Sequence, residues 1–171
     1  MSRIIRSLAV TTAALGLGAG LAWAEPEYVT IKMEIDVNKP AAEVWKKVGG
    51  FCDISKWIAA GREVPCAITS GDGGIGTVRS IANGAAVEVL TAQTELAYGY
   101  AMPPKDGAFN DLYHGFVEAR PVTATTSKIL YTLMYDVSNL ADQAAKDANI
   151  GRRRTQFEAA LVNMKALGEA N

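Results

Sequence analysis

The chain has little from which to build a metal centre or a nucleophilic triad, with one histidine, His114, and two cysteines among 171 residues. A zinc site needs three or four convergent nitrogen, sulfur or oxygen ligands, and Ser–His–acid chemistry needs partners that the sequence does not group around His114. The expectation is therefore no metal and no cofactor, with His114 on an edge or surface. Charge of one sign is also lacking, since 17 Lys and Arg stand against 18 Asp and Glu. Such a chain carries no electrostatic footprint for nucleic acid. Internal repeats, low-complexity tracts and a linker to a second domain are absent as well. Gly71-Asp72-Gly73-Gly74-Ile75-Gly76 has the spacing of a dinucleotide-binding loop. That site needs a helix N-terminus next, and Thr77 to Ile81 reads as a strand, so the segment is expected to be a hairpin turn.

Long apolar runs are confined to the N-terminus. Arg3 and Arg6 precede an acid-free run over residues 8–21, and Ala22-Trp23-Ala24 has the small-x-small form of a cleavage site. The predicted organisation is a signal peptide over 1–24, cleaved near Ala24, and one domain over 25–171. The mature chain is expected to be periplasmic, mildly acidic and without stable membrane insertion. No cysteine stands at the cleavage point to take a lipid anchor.

Residues 28–37 alternate apolar and polar, which predicts a half-buried antiparallel strand. Asn38 and Pro40 open a short helix whose Ala41, Val44, Trp45 and Val48 share a face, Gly49-Gly50 stops it, and a second short helix is expected over 51–58. Short strands follow at 64–69, 75–82, 85–91, 96–102, 111–120 and 127–137, with Pro65 marking an edge strand. From 140 to 167 there is no proline, and Ile150, Phe157, Ala160, Leu161, Met164 and Leu167 form one apolar stripe. The fold class is α+β: a seven-stranded curved antiparallel sheet wrapped around a long C-terminal helix. A curved sheet gripping one helix leaves a gap, which is a ligand pocket by default.

Asn83-Gly84 predicts a two-residue type I′ hairpin turn, and its register sets Arg79 directly opposite Glu88. Such a pair is either a solvent-facing ion pair or a charged pair inside the pocket, and only the second requires burial. Tyr98, Tyr100 and Met102 share one strand face, Tyr131, Leu133 and Tyr135 another, and Tyr113 lies on the strand between. They are either ordinary core or the polar-tipped lining of a cavity. Arg152-Arg153-Arg154 fans around the long helix and reads as a solvated face, while Arg153, Phe157 and Ala160 are the helix positions nearest the gap. Cys52 and Cys66 are read as a disulfide closing a short loop, with buried thiols as the alternative.

Pro40-Ala41-Ala42-Glu43-Val44-Trp45, Gly50-Phe51-Cys52-Asp53-Ile54-Ser55-Lys56-Trp57, Gly76-Thr77-Val78-Arg79, Val87-Glu88-Val89-Leu90, Tyr98-Gly99-Tyr100 and Tyr113-His114-Gly115 together resemble the polyketide cyclase/dehydrase-like branch of the START/Bet v 1 (SRPBCC) superfamily. The resemblance runs from about Val29 to Leu167 and implies a helix-grip fold with a deep apolar cavity. It also implies that Glu88, Tyr100, Met102, Tyr113 and Tyr131 face a ligand, and it places Trp57 near the cavity mouth. Val64 stands where related hormone receptors carry a ligand-binding lysine.

The expected ligand-binding set is Trp57, Arg79, Glu88, Tyr98, Tyr100, Met102, Tyr113, Tyr131, Leu133 and Phe157, holding a small hydrophobic or aromatic molecule without catalysis. The alternatives are a cyclase or dehydratase using Glu88 and tyrosines, and an accessory protein that meets a periplasmic protein partner.

Overall fold

The structure, a computed structural model, describes residues 25–59 and 61–170. The expected signal peptide and its cleavage point at Ala24 lie outside the described residues. β1 (Tyr28–Val37) buries Ile31, Met33 and Val37 while Thr30, Lys32 and Glu34 stay exposed, as its alternation requires. Pro40 opens α1 (Ala41–Val48), and its carbonyl accepts from the amides of Glu43 and Val44 at 3.0 and 3.1 Å. α2 (Ile54–Trp57) is a single turn, shorter than the 51–58 helix expected, because residues 51–53 form a turn. Asp53 holds that turn, accepting from the Gly50 amide at 2.7 Å.

The meander then runs through β2 (Cys66–Ser70), β3 (Val78–Ile81), β4 (Ala86–Gln93), β5 (Ala97–Ala101), β6 (His114–Pro121) and β7 (Ser127–Asp136). Strand order is β1-β7-β6-β5-β4-β3-β2, so β1 pairs with the last strand and β2 ends the sheet. A register shift between Leu90 and Ala92 on β4 is a point where the sheet bends. α3 (Gln143–Glu169) starts at Asp142, whose carboxylate accepts from the Ala145 amide at 2.8 Å. Phe157, Ala160, Leu161 and Met164 of α3 join Leu90, Tyr100, Val117, Ile129, Tyr131 and Leu133 of the sheet in one core. No described helix is long and apolar enough to cross a membrane.

The hairpin differs in its turn and agrees in its register. Ile81 pairs with Ala86, Arg79 with Glu88 and Val78 with Val89, but the ladder closes around four residues rather than two. Ala82, Asn83 and Gly84 all have positive φ, at 51°, 56° and 93°, so the left-handed turn begins one residue early. Ala82 is held there by its amide, which donates to the Pro65 carbonyl at 2.7 Å. Strand β3 is also shorter than expected because Ile75 and Gly76 belong to the turn before it, and β6 starts at His114 after Leu112 at φ 47°.

Cys52 and Cys66 form a disulfide that ties the turn before α2 to the first residue of β2. It closes a loop with a sequence separation of 14. A Cys52→Ser/Cys66→Ser variant should lose about 3 kcal/mol of unfolding free energy through the freer unfolded chain. Urea denaturation measures this, and an unchanged midpoint would contradict it.

Candidate functional site

A cleft of about 540 Å³ opens between α3, the α2 segment and the β3–β4 side of the sheet. Ile54, Ile58, Ala59, Arg62 and Val64 come from α2 and the loop after it, and Ile81, Ala82, Ala86 and Glu88 from the β3–β4 hairpin. Tyr100, Met102 and Tyr113 form the sheet wall, and Arg153, Gln156 and Phe157 the helix wall. Glu88, Tyr100 and Tyr113 are buried, while Arg62 and Gln156 are exposed. Polar groups therefore stand both inside the cleft and at its rim, with apolar side chains between.

The hairpin register puts Arg79 beside Glu88, and both are buried, at 0 % and 5 % exposure. That burial excludes the solvent-facing bridge, which would leave both side chains wet, and it sets Glu88 on the cleft with Arg79 behind it rather than both inside. Arg79 Nε donates to Glu88 Oε2 at 2.7 Å, and Nη2 lies 2.5 Å from the same oxygen. Nη1 donates to the Phe51 carbonyl, and the guanidinium lies 4.1 Å from the centre of the Phe51 ring and 5.0 Å from that of Tyr100. Because both contacts from Arg79 fall on Oε2, Glu88 Oε1 has no hydrogen-bond partner among the described residues. Burial raises the pKa of the Glu88 carboxyl, and the Arg79 charge only partly offsets that.

The tyrosines form a file of rings in tilted contact. Centroid separations are 6.4 Å for Tyr98–Tyr100, 6.3 Å for Tyr100–Tyr113 and 5.9 Å for Tyr113–Tyr135. The Tyr100 ring occupies its place only because Gly115, its partner across β5 and β6, has no side chain: a Cβ there would meet that ring at 2.2 Å. Tyr100 and Tyr131 share a hydroxyl hydrogen bond of 2.8 Å. Burial holds the phenol pKa values of Tyr100, Tyr113 and Tyr131 above the usual value. These hydroxyls are protonated near neutrality and act as hydrogen-bond donors or acceptors rather than as bases.

A family model described as polyketide cyclase / dehydrase and lipid transport matches residues 28–169. The chain belongs to this family. Its sheet and helix are those of the Bet v 1/SRPBCC superfamily. Among solved structures, a Nitrosospira multiformis protein is 22 % identical at a TM-score of 0.60, over 81 % of this chain and 94 % of its own. The protein XoxI from Bacillus cereus is 18 % identical at a TM-score of 0.62, over 80 % and 93 %. Ara h 8.0201 is 16 % identical at a TM-score of 0.58, over 82 % and 99 %. These likenesses concern the fold. No curated protein matches the chain by sequence.

Within this member of the polyketide cyclase/dehydrase family, the expected site residues divide into two groups. Glu88, Tyr100, Met102, Tyr113 and Phe157 line the cleft. Trp57, Arg79, Tyr98, Tyr131 and Leu133 do not, and all five are buried in the core. Trp57 is the clearest correction: it does not line the cleft although its neighbour Ile58 does, and it is buried at 0 % exposure, with its ring edge-to-face with Tyr131 and its Nε1–H donating to the Val48 carbonyl at 3.3 Å. Tyr98 is screened by Phe51 and the Arg79 guanidinium, which fill the space over its ring. Tyr131 and Leu133 are covered by α3, where Phe157 sits 4.8 Å from the Tyr131 ring. Ala160 is buried and off the cleft.

The arginine run is not a uniform solvated face. Arg152 and Arg154 are exposed, but Arg153 turns inward and lines the cleft. Its guanidinium lies 4.8 Å from the centre of the Tyr113 ring and 4.4 Å from that of Tyr135. His114, expected on an edge or surface, is instead half-buried on the interior strand β6 beside Met134 and Ala101, and its Nδ1 is buried with no hydrogen-bond partner among the described residues. Among the described residues no group of histidine, cysteine and acidic side chains could hold a metal ion. Arg62 and Gln156 were not foreseen, since neither belongs to a periodic pattern and only the packing of α2 and α3 turns them to one opening.

Proposed function

We propose that this protein is exported to the periplasm and there binds a small, mostly apolar molecule in the cleft without converting it. The cleft carries this reading: about 540 Å³ of space, walled by Ile54, Ile81, Met102 and Phe157, with a few convergent polar groups from Glu88, Tyr100 and Tyr113. Signal-like residues at the N-terminus support export, and membership of a family described as including lipid transport supports carriage. Glu88 offers Oε1 to a hydroxyl or amide donor on the ligand, and the tyrosine hydroxyls offer complementary bonds.

One observation favours a second reading, cyclase or dehydratase chemistry with Glu88 as general base: burial raises its pKa toward the working range. Arg79 opposes that role, because a cation on one oxygen reduces the basicity of both.

Native mass spectrometry of the mature protein purified gently from periplasm, then analysis of whatever denaturation releases, tests the reading. A stoichiometric apolar compound, unchanged on incubation with fresh protein, is the expected result. Conversion of that compound would favour the enzyme. Protein that is empty, and takes up no apolar compound on titration, would overturn both.

A further inference from the structure

The charges of the cleft do not cancel. Glu88 is matched by Arg79 behind it, so its carboxylate adds no net charge to the opening. Arg153 and Arg62 remain, on the α3 wall and the α2 side. Arg62 has no carboxylate within ion-pair distance among the described residues. Arg153 has only Asp111, at 3.7 Å and itself partly exposed, an arrangement that contributes little.

Arg153 is nevertheless held in place. Its guanidinium lies on Tyr113 and Tyr135, and Nε donates to Asn149 Oδ1 at 3.4 Å, an oxygen that also accepts from the Tyr135 hydroxyl at 3.0 Å. Ring stacking fixes the plane of a guanidinium but uses none of its N–H donors. What is left is an oriented guanidinium with N–H donors beyond those that face Asn149 and Asp111, on the wall of a cleft that also carries Glu88, Tyr100 and Tyr113. Arg153 also lines the small neighbouring depression of about 180 Å³ with Phe109, Asp111 and Tyr135, so its side chain is the partition between the two spaces.

We infer that Arg153, assisted by Arg62, selects the charge of the ligand: the molecule held by the cleft is an apolar carboxylate, its hydrocarbon part against Met102, Ile81 and Phe157 and its anionic end on the Arg153 fork. The inference rests on the ligand-binding reading above and adds the class of ligand. A planar carboxylate meets a guanidinium with two parallel hydrogen bonds, whereas a neutral isostere leaves one donor of the fork unmatched. The carboxylate could belong to an aromatic acid or to an aliphatic one, and the choice of probes separates these.

The test is calorimetric titration at neutral pH with 2-naphthoate against 2-naphthamide, and with octanoate against octanamide. Charge-assisted hydrogen bonds of this kind should make at least one acid bind about tenfold tighter than its amide. Which acid does so identifies the source. Arg153→Gln should bring that ratio close to one, mainly by weakening the acid. Arg153→Lys keeps the charge but not the fork, and a ratio reduced about threefold there supports the same conclusion if Arg153→Gln fails to fold. Amides that bind as well as the acids, or a preference that survives both substitutions, would overturn the assignment and leave the cleft reading standing. Failure of all four probes to bind would overturn both.

Discussion

Replacing Arg79 by Met should lower the unfolding free energy by about 3–5 kcal/mol, because it leaves the Glu88 carboxylate buried with no counter-charge. Adding Glu88→Leu should recover most of that loss, since a matched apolar pair removes both desolvation costs together. Urea denaturation of the two single variants and the double variant forms the cycle, and a loss under about 1 kcal/mol in Arg79→Met would show the pair to be solvated. The pH dependence has a definite sign. In the folded protein the Glu88 pKa is raised, so between its unfolded and folded values the native state binds more protons and stability falls as pH rises. Removing Arg79 removes an influence that lowers this pKa. The deficit of the single variant should therefore be largest near neutrality and shrink toward acid.

Trp57→Ala should cost about 3–5 kcal/mol, the effect of emptying a large aromatic site in a closed core. A residue at a cavity mouth would change stability by only about 0.5 kcal/mol. Trp57 touches Tyr131 edge-on, its indole N–H reaches Val48, and its carbonyl accepts from Asn163 Nδ2 of α3 at 3.0 Å. It is a peg between α1, α2 and α3. Trp57→Phe should retain most of the stability, and the folded fraction of Trp57→Ala should bind cleft ligands nearly as the parent does. Near-normal stability in Trp57→Ala would return Trp57 to the rim.

The contrast between Glu88 and Trp57 marks what the sequence could and could not disclose. The Arg79–Glu88 pairing was legible because it depends on one hairpin: Asn83-Gly84 sets the turn, and the alternation of β3 and β4 carries the register outward whatever surrounds it. The early left-handed residue at Ala82 opened the 82/85 pair at the turn but left Ile81–Ala86 and Arg79–Glu88 in register. The alternation of β1 and the stripe on α3 were legible for the same reason, being periodic within one element. Depth behind a wall is another matter. Tyr98 and Tyr100 share a face of β5, yet only Tyr100 reaches the cleft, because Phe51 and the Arg79 side chain arrive over Tyr98 from other parts of the chain. Arg153 was ambiguous in the same way: three consecutive arginines point in three directions, and the phase of α3 against the sheet chooses which of them meets the tyrosines.

The ring closed by Cys52 and Cys66 spans the segment that contributes Ile54, Ile58, Ala59, Arg62 and Val64, the whole α2-side wall of the cleft. Apart from the covalent tie, that wall is pinned to the body by few bonds, among them the Pro65 carbonyl to Ala82 and the Asn163 amide to the Trp57 carbonyl. Material made in a reducing cytoplasm and material made in an oxidising compartment would therefore share a sheet and a helix but not an equally rigid binding wall. The binding proposed for the cleft should then be weaker in the first material than in the second.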